Sequence, residues 1–95
     1  MPSYLSLIKW TDQGVRNVKH SPQRLDAYKQ AAQAAGGKVV FFYMTMGEYD
    51  LVTLTELPND EVASRLLLTE QGNIRSTTLK AFTEDEYRKL IASLP

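Results

Sequence analysis

Cysteine is absent from this chain of 95 residues, and histidine occurs only once, at His20. Without thiols the protein has no disulfide framework, no thiolate metal site and no cysteine nucleophile. A single histidine leaves no second imidazole to complete a conventional transition-metal site. We therefore expect neither a bound metal nor a cofactor.

Charge of one sign is not in excess either, because 11 basic residues balance 11 acidic residues. Such a chain lacks the basic surface through which proteins bind nucleic acids or anionic lipids. No apolar run approaches the roughly twenty residues that a membrane span needs, and the first residues lack the basic and apolar regions of a signal peptide. We expect a cytoplasmic protein with one domain over residues 1–95, which binds neither nucleic acid nor membrane.

Two β-rich runs flank a short turn that contains glycine. The runs cover residues 38–44 and 51–56, and the turn between them includes Met46-Gly47-Glu48-Tyr49-Asp50. Aromatic and β-branched residues on both sides of such a turn predict a β-hairpin. The turn also concentrates ionisable and aromatic side chains, which makes it a candidate for function.

Local capping signals place the other elements. Ser21 followed by Pro22 is typical of a helix N-cap and first turn, and the pair Gly36-Gly37 is typical of a helix end. Thr83 with Glu86 three residues later forms a capping box, which predicts a C-terminal helix. The remaining predicted elements are strands at residues 4–10 and 74–82 and helices at residues 21–35 and 60–70.

The predicted order is β-α-β-β-α-β with a terminal helix. This order indicates an α+β, ferredoxin-like fold, in which a four-stranded antiparallel sheet carries two helices on one face. A sheet covered on one side should alternate apolar and polar residues along each strand. The strands of this chain do not alternate cleanly.

Both faces of the predicted sheet carry apolar residues. Simple alternation places Val39, Phe41 and Tyr43 on one face of the second strand and other apolar residues on the opposite face. Because a soluble monomer rarely leaves such a patch bare, we expect a homo-oligomer whose sheets pack face to face. The polar residues expected on the side away from the helices are Ser6, Thr53 and Thr55.

Three segments occur in a characteristic order: Trp10-Thr11-Asp12-Gln13-Gly14, then Met46-Gly47-Glu48-Tyr49-Asp50-Leu51-Val52, then Gly72-Asn73-Ile74-Arg75 with Leu79-Lys80-Ala81-Phe82. Together they resemble the GYD-domain family of small bacterial and archaeal proteins, over residues 4–94. The resemblance implies a ferredoxin-like fold of the dimeric α/β-barrel type. It supplies no activity, because the family has no well-established one and borrowing from other barrel proteins would rest on fold alone.

Five residues are candidates for binding a ligand: Trp10, His20, Tyr49, Asp50 and Arg75. The rings of Trp10 and Tyr49 could stack on a ligand or anchor the core or an interface. His20 could act as a base or bind haem, but we favour an ordinary loop histidine. Asp50 could act as a base, but we favour a structural role in which it accepts hydrogen bonds from loop amides or from Arg75. Arg75 could also bind a ligand carboxylate.

Two functions from different classes fit these residues. The first is a non-catalytic module that binds a small molecule or another protein, with a pocket between the sheet and the loop at residues 10–21. The second is a cofactor-independent enzyme of the monooxygenase or isomerase kind with a site in the same place, which needs a proton acceptor facing an enclosed cavity. We favour the module, because no serine has a visible base partner and no other nucleophile stands out.

Overall fold

The computed structural model describes residues 1–69 and 72–95. Its strands are β1 (Ser3–Trp10), β2 (Lys38–Met44), β3 (Leu51–Glu56) and β4 (Ile74–Ala81). They form one sheet in the order β2-β3-β1-β4, and every neighbouring pair is antiparallel. The predicted α+β architecture is confirmed, and the strand order is consistent with a ferredoxin-like fold.

Side-chain caps explain where two of the helices begin. Before α1 (Asp12–Arg16), the Thr11 hydroxyl accepts a hydrogen bond from the Gly14 amide at 3.1 Å. Before α3 (Asp60–Thr69), the Asn59 side chain accepts one from the Val62 amide at 2.9 Å. In both cases an oxygen of the capping residue satisfies an amide that has no partner within its own helix. The predicted end of the second long helix at Glu70 lies outside the described residues.

The helix α2 (Ser21–Ala34) continues directly from a 3-10 turn at Val18–His20. Ser21 itself has helical backbone angles, with φ −57° and ψ −43°. An N-cap residue needs an extended backbone, so the prediction that Ser21 caps this helix is wrong. The predicted end is confirmed, because Gly36 follows the helix with a φ of +88°, a conformation that favours glycine.

The C-terminal helix α4 (Glu84–Ala92) begins with the predicted capping box. The Thr83 hydroxyl accepts from the Glu86 amide at 3.1 Å, and the Glu86 carboxylate accepts from the Thr83 amide at 2.8 Å. The hydrogen bond from the Thr83 amide, followed by the interaction with the Thr83 side chain, lowers the pKa of the Glu86 carboxyl group. Every residue of α4 is exposed. None of the described helices is both long enough and apolar enough to cross a membrane.

A β-bulge in β2 changes which residues share a face. Val39 lies opposite Thr55, but Phe41 lies opposite Leu54, so the register shifts between them by one residue. The extra residue reverses the alternation. The prediction that Val39, Phe41 and Tyr43 share one face is therefore wrong, because Val39 lies on the helix-covered face and the two aromatic residues on the other.

The helix-covered face of the sheet is more polar than predicted. Its core cluster joins Tyr4 of β1 to apolar residues of α2, α3 and the segment after β3. Ser6, Thr53 and Thr55 are buried on this same face, so the prediction that they lie on the side away from the helices is wrong. Two of these hydroxyl groups have side-chain hydrogen-bond partners. The Thr55 hydroxyl bonds to the Tyr28 hydroxyl at 2.9 Å, and the Ser6 hydroxyl bonds to the Thr78 hydroxyl at 2.9 Å.

The opposite side of the sheet, which we call the open face, carries a continuous apolar patch. Strand register places its members next to one another across all four strands. Tyr43 at its edge is 63% exposed and Leu79 is 46% exposed. The large apolar residues of the open face are Leu5, Leu7, Phe41, Tyr43, Val52, Leu54 and Leu79.

Candidate functional site

A pocket of about 60 Å³ lies between the sheet and α2. Alternation along β1 directs Ser6, Ile8 and Trp10 to the helix-covered face, where they form its floor. Residues 21, 24, 25 and 28 of α2 lie at i, i+3, i+4 and i+7, so one helix face supplies the roof. The lining is completed by Phe42, Leu51, Thr53, Leu67, Ile74 and Ser76.

At one end of this pocket, hydrogen bonds from Thr11 join the segment before α1 to the residues before β4. The Thr11 amide donates to the Asn73 carbonyl at 3.0 Å, and the Thr11 hydroxyl donates to the Gly72 carbonyl at 2.6 Å. Gly14 lies so close to the Asn73 backbone that a Cβ added at position 14 would lie 1.9 Å from the Asn73 carbonyl oxygen. The contact joins the end of β1 to the start of β4, where Trp10 and Ile74 are strand partners.

Asp50 joins the hairpin turn by hydrogen bonds to the C-terminal end of β1. Its carboxylate accepts a hydrogen bond from the Trp10 amide at 2.9 Å, and its own amide donates to the Ile8 carbonyl at 2.8 Å. The Asp50 carbonyl also accepts from the Thr45 amide at 2.8 Å. The Asp50 carboxylate therefore extends the hydrogen bonding between β1 and the hairpin past Ile8–Leu51, the last β1–β3 pair. The donor to this carboxylate is a backbone amide and not Arg75.

The remaining sequence-predicted site residues lie outside the pocket lining. His20 is exposed, with its Nδ1 3.1 Å from the Gln23 side-chain oxygen. Tyr49 is partly buried, with the Lys9 ammonium 5.4 Å from the centre of its ring. Arg75 is exposed and lies opposite Lys9 in the β1–β4 register. Of the five candidates only Trp10 lines the pocket.

Two hydrogen-bond donors in the pocket are unsatisfied by the described part of the chain. Trp10 Nε1 and Arg24 Nη2 are both inaccessible to solvent, and neither has a hydrogen-bond partner among the described residues. The other terminal nitrogen of Arg24 donates to the Asn17 carbonyl at 3.1 Å. Sequence reasoning missed Arg24, although its position one turn after Ser21 on the apolar face of the helix was a usable signal.

A second polar cluster lies at the far end of β1. The Tyr4 hydroxyl donates to the Asp60 carboxylate at 2.5 Å, and the Lys80 ammonium lies 3.2 Å from the same oxygen. Burial, and then the neighbouring Asp60 carboxylate, raises the pKa of Tyr4 to about 12. The hydrogen bond from Tyr4, followed by that from Lys80, lowers the pKa of Asp60. The cluster ties the start of α3 to β1 and β4 and lies away from the pocket lining.

Metal binding has no obvious site in the described part of the chain. No group of three or more histidine, aspartate or glutamate side chains gathers there in an arrangement that could hold a metal ion. The pocket lining contains two ionisable residues, Arg24 and Tyr28, and no carboxylate among the described residues. The pocket therefore offers the donors of Arg24 and Trp10, together with hydroxyl groups that can donate or accept, in a largely apolar lining.

The first two sequence segments singled out above and residues 72–75 of the third meet at the end of the pocket near Trp10. Trp10 and Thr11 contact Asp50 of the hairpin turn and Asn73 before β4. The family model of the GYD domain matches residues 4–91. The chain belongs to the GYD domain family. The resemblance inferred from the three segments is thus confirmed, and the GYD chain uses these segments to join β1, the hairpin and β4.

Two similar proteins come from the bacterium Thermus thermophilus. One is named glutamine synthetase and cystathionine beta-lyase binding protein; it is 29% identical over 84 residues, which cover 85% of this chain and 88% of that protein. The other is the crystal structure of TTHA0845, which has a TM-score of 0.50 and 28% identity, covering 87% of this chain and 95% of that one. The structural likeness extends over nearly the same share of the chain as the family match.

Proposed function

We propose that this GYD-domain protein is a non-catalytic protein-binding module that assembles with a second copy of itself. The observation that carries the proposal is the amount of large apolar surface left uncovered in the folded chain. The open face contributes one such surface, and the outer side of α4 contributes another. Apolar patches of this kind on a soluble domain are typical of interaction sites.

The open face is suited to a second copy of the chain. Its apolar residues form a flat patch in the middle of the sheet, while Lys9, Glu56 and Arg75 lie on the same side towards its edges. An apolar centre with a charged rim is the usual arrangement of a protein interface. Two such sheets packed face to face would form the dimeric α/β-barrel arrangement.

The helix α4 is suited to a different protein. Tyr87, Leu90 and Ile91 lie at i, i+3 and i+4 of the helix, Leu94 lies two residues past its end at Ala92, and each is between 52% and 65% exposed. We call these four residues the α4 stripe. An amphipathic helix with this spacing binds in an apolar groove of a partner. The name of the Thermus relative, a binding protein for two enzymes, supports a protein partner for this chain as well.

An enzyme of the monooxygenase or isomerase kind receives less support from the same geometry. Such an enzyme needs a proton acceptor in contact with the substrate. The Asp50 carboxylate binds the Trp10 amide instead, and His20 is exposed on the loop. Neither residue belongs to the lining of the pocket.

The proposal can be tested by measuring binding to glutamine synthetase and cystathionine beta-lyase purified from the organism that supplies this chain. We expect at least one enzyme to bind. We also expect the paired change Leu90→Ala with Ile91→Ala to weaken binding roughly tenfold or more, because it truncates two neighbouring apolar anchors.

The matched control changes two polar residues of the same helix, Arg88→Ala with Lys89→Ala. These positions lie outside the α4 stripe, and the Arg88–Glu84 ion pair is highly exposed, so its loss should matter little. Equal binding by the stripe variant and the wild type would contradict the role of α4. Absence of binding to both enzymes would remove the support taken from the relative.

A further inference from the structure

We propose that the pocket between the sheet and α2 binds a small organic carboxylate, with Arg24 and Trp10 as its donors. Both residues line the pocket, and each has a solvent-inaccessible side-chain nitrogen without a hydrogen-bond partner among the described residues. Indole and guanidinium groups can only donate hydrogen bonds. The missing partner must therefore be an acceptor.

The charge of Arg24 indicates that this acceptor is an anion. No acidic side chain of the described residues forms an ion pair with Arg24, although Arg24 is partly buried. Its one observed hydrogen bond goes to a neutral backbone carbonyl, that of Asn17. A partly buried guanidinium without a counter-charge favours a ligand that brings one, and the planar guanidinium matches a carboxylate well.

The rest of the lining indicates an organic anion rather than an inorganic one. Ile8, Leu25, Leu51, Phe42 and Leu67 surround the pocket with aliphatic and aromatic surface. Phosphate or sulfate would have to give up water there without gaining enough donors in return. A short hydrocarbon chain attached to the carboxylate would instead bury apolar surface.

The size of the pocket limits the ligand to a compact molecule. A volume of about 60 Å³ admits several water-sized groups. A carboxylic acid with a short unbranched chain matches both this volume and the division between donors and apolar wall.

This site is separate from the surfaces proposed above. The pocket lies beneath α2 on the helix-covered side of the sheet, whereas the partner surfaces are the open face and the α4 stripe. Either proposal can therefore fail while the other stands. Changes at Arg24 should leave binding through α4 unaltered.

The test uses Trp10, which is the single tryptophan of the chain and lies in the pocket. We expect pentanoate to change its fluorescence in a saturable way at neutral pH. Because 1-pentanol keeps the chain but lacks the charge, it should bind roughly 10–100-fold more weakly. Inorganic phosphate should produce no saturable change.

Variants then assign the donors. Arg24→Met should weaken pentanoate binding by a similar factor, while the same change at Arg88, an exposed arginine of α4 outside the pocket lining, should leave it unchanged. Trp10→Phe, measured by calorimetry, should weaken binding because it removes the indole donor but keeps a ring.

Three results would overturn the proposal: no saturable response to pentanoate, equal affinity for pentanoate and 1-pentanol, or unchanged affinity in a folded Arg24→Met protein. The comparison of acid and alcohol needs only the wild type, so it decides the matter even if the variants do not fold. A crystal structure grown with pentanoate that shows only water in the pocket would also count against it.

Discussion

Asp50 shows how one side chain can hold two segments together. Its carboxylate binds the Trp10 amide and its amide binds the Ile8 carbonyl, so the hairpin turn and the end of β1 are joined through a single residue. The sequence predicted that the Asp50 carboxylate accepts hydrogen bonds from loop amides or from Arg75; the observed donor is an amide, but that of Trp10 at the end of β1. Whether Asp50 also contributes to ligand binding is a separate matter, which variants can decide.

We expect Asp50→Ala to lower the free energy of unfolding by about 1–3 kcal/mol, because the partly buried Trp10 amide loses its acceptor. Asp50→Asn should cost less, since the amide oxygen can still accept. Chemical denaturation of both variants measures the difference. Both should bind partners normally once folded. A stable Asp50→Ala protein that has lost a measurable activity would instead make Asp50 a catalytic residue.

The Tyr4–Asp60 pair predicts how stability depends on pH at both extremes. The pKa of Asp60 is lowered from 3.8 in the folded protein, so its contribution is complete above that pH and is lost as the pH falls through the lowered value. The pKa of Tyr4 is raised from 10.0 to about 12, so its contribution is complete below pH 10.0 and is lost as the pH rises towards 12.

Tyr4→Phe should therefore reduce both pH dependences, because it removes the phenol and the main donor to Asp60. Urea unfolding across the acidic and alkaline ranges measures this effect. Tyr87→Phe is the matched control, since Tyr87 is an exposed tyrosine on α4. Identical profiles of stability against pH for Tyr4→Phe and the wild type would show that the Tyr4–Asp60 pair causes neither the acidic nor the alkaline loss of stability.

Among the elements, α1 is short but closely packed. Its Gly14 lies against the backbone of Asn73, and a Cβ at this position would lie 1.9 Å from a carbonyl oxygen. Gly14→Ala should destabilise the protein by about 1–3 kcal/mol, because the backbone must move apart to admit the methyl group. The control Val15→Ala, at an exposed neighbouring position, should change stability by less than about 0.5 kcal/mol. Equal stability of the two variants would show that α1 can shift to admit the methyl group without lowering the free energy of unfolding.

The elements with strong local signals were predicted well. The hairpin strands and the Thr83–Glu86 capping box depend on neighbouring residues, and both are present as predicted. The bulge at Val39–Phe41 was not predicted, because it depends on how β2 pairs with β3 rather than on composition. That single inserted residue explains the errors in the face assignment of β2.

The pocket was only partly predictable for a related reason. The sequence predicted a pocket between the sheet and the loop at residues 10–21, whereas α2 covers the observed pocket and Arg24 of that helix was missed. Likewise Thr53 and Thr55 alternate with apolar residues in β3, and alternation alone does not say which side the helices cover. Local sequence patterns determine where helices and strands form, whereas the packing of these elements against one another determines which side chains come into contact.

At the scale of the whole molecule, the folded chain has more apolar surface than it can cover by itself. The helices cover one side of the sheet, while the open face remains partly exposed and the α4 stripe exposed. Their exposure is the reason that we infer partners for both. The homo-oligomer expected from the sequence remains a prediction, although the bulge changes which residues of β2 would take part in it.

Sedimentation equilibrium of the purified chain, from dilute to concentrated protein, tests this account most directly. We expect self-association in the wild type, and we expect Leu54→Lys to weaken it because the change places a charge in the middle of the open face. Val15→Lys, which introduces the same charge at an exposed position on α1, should associate like the wild type. A wild-type protein that stays monomeric at every concentration would contradict the assignment of the open face as an interface.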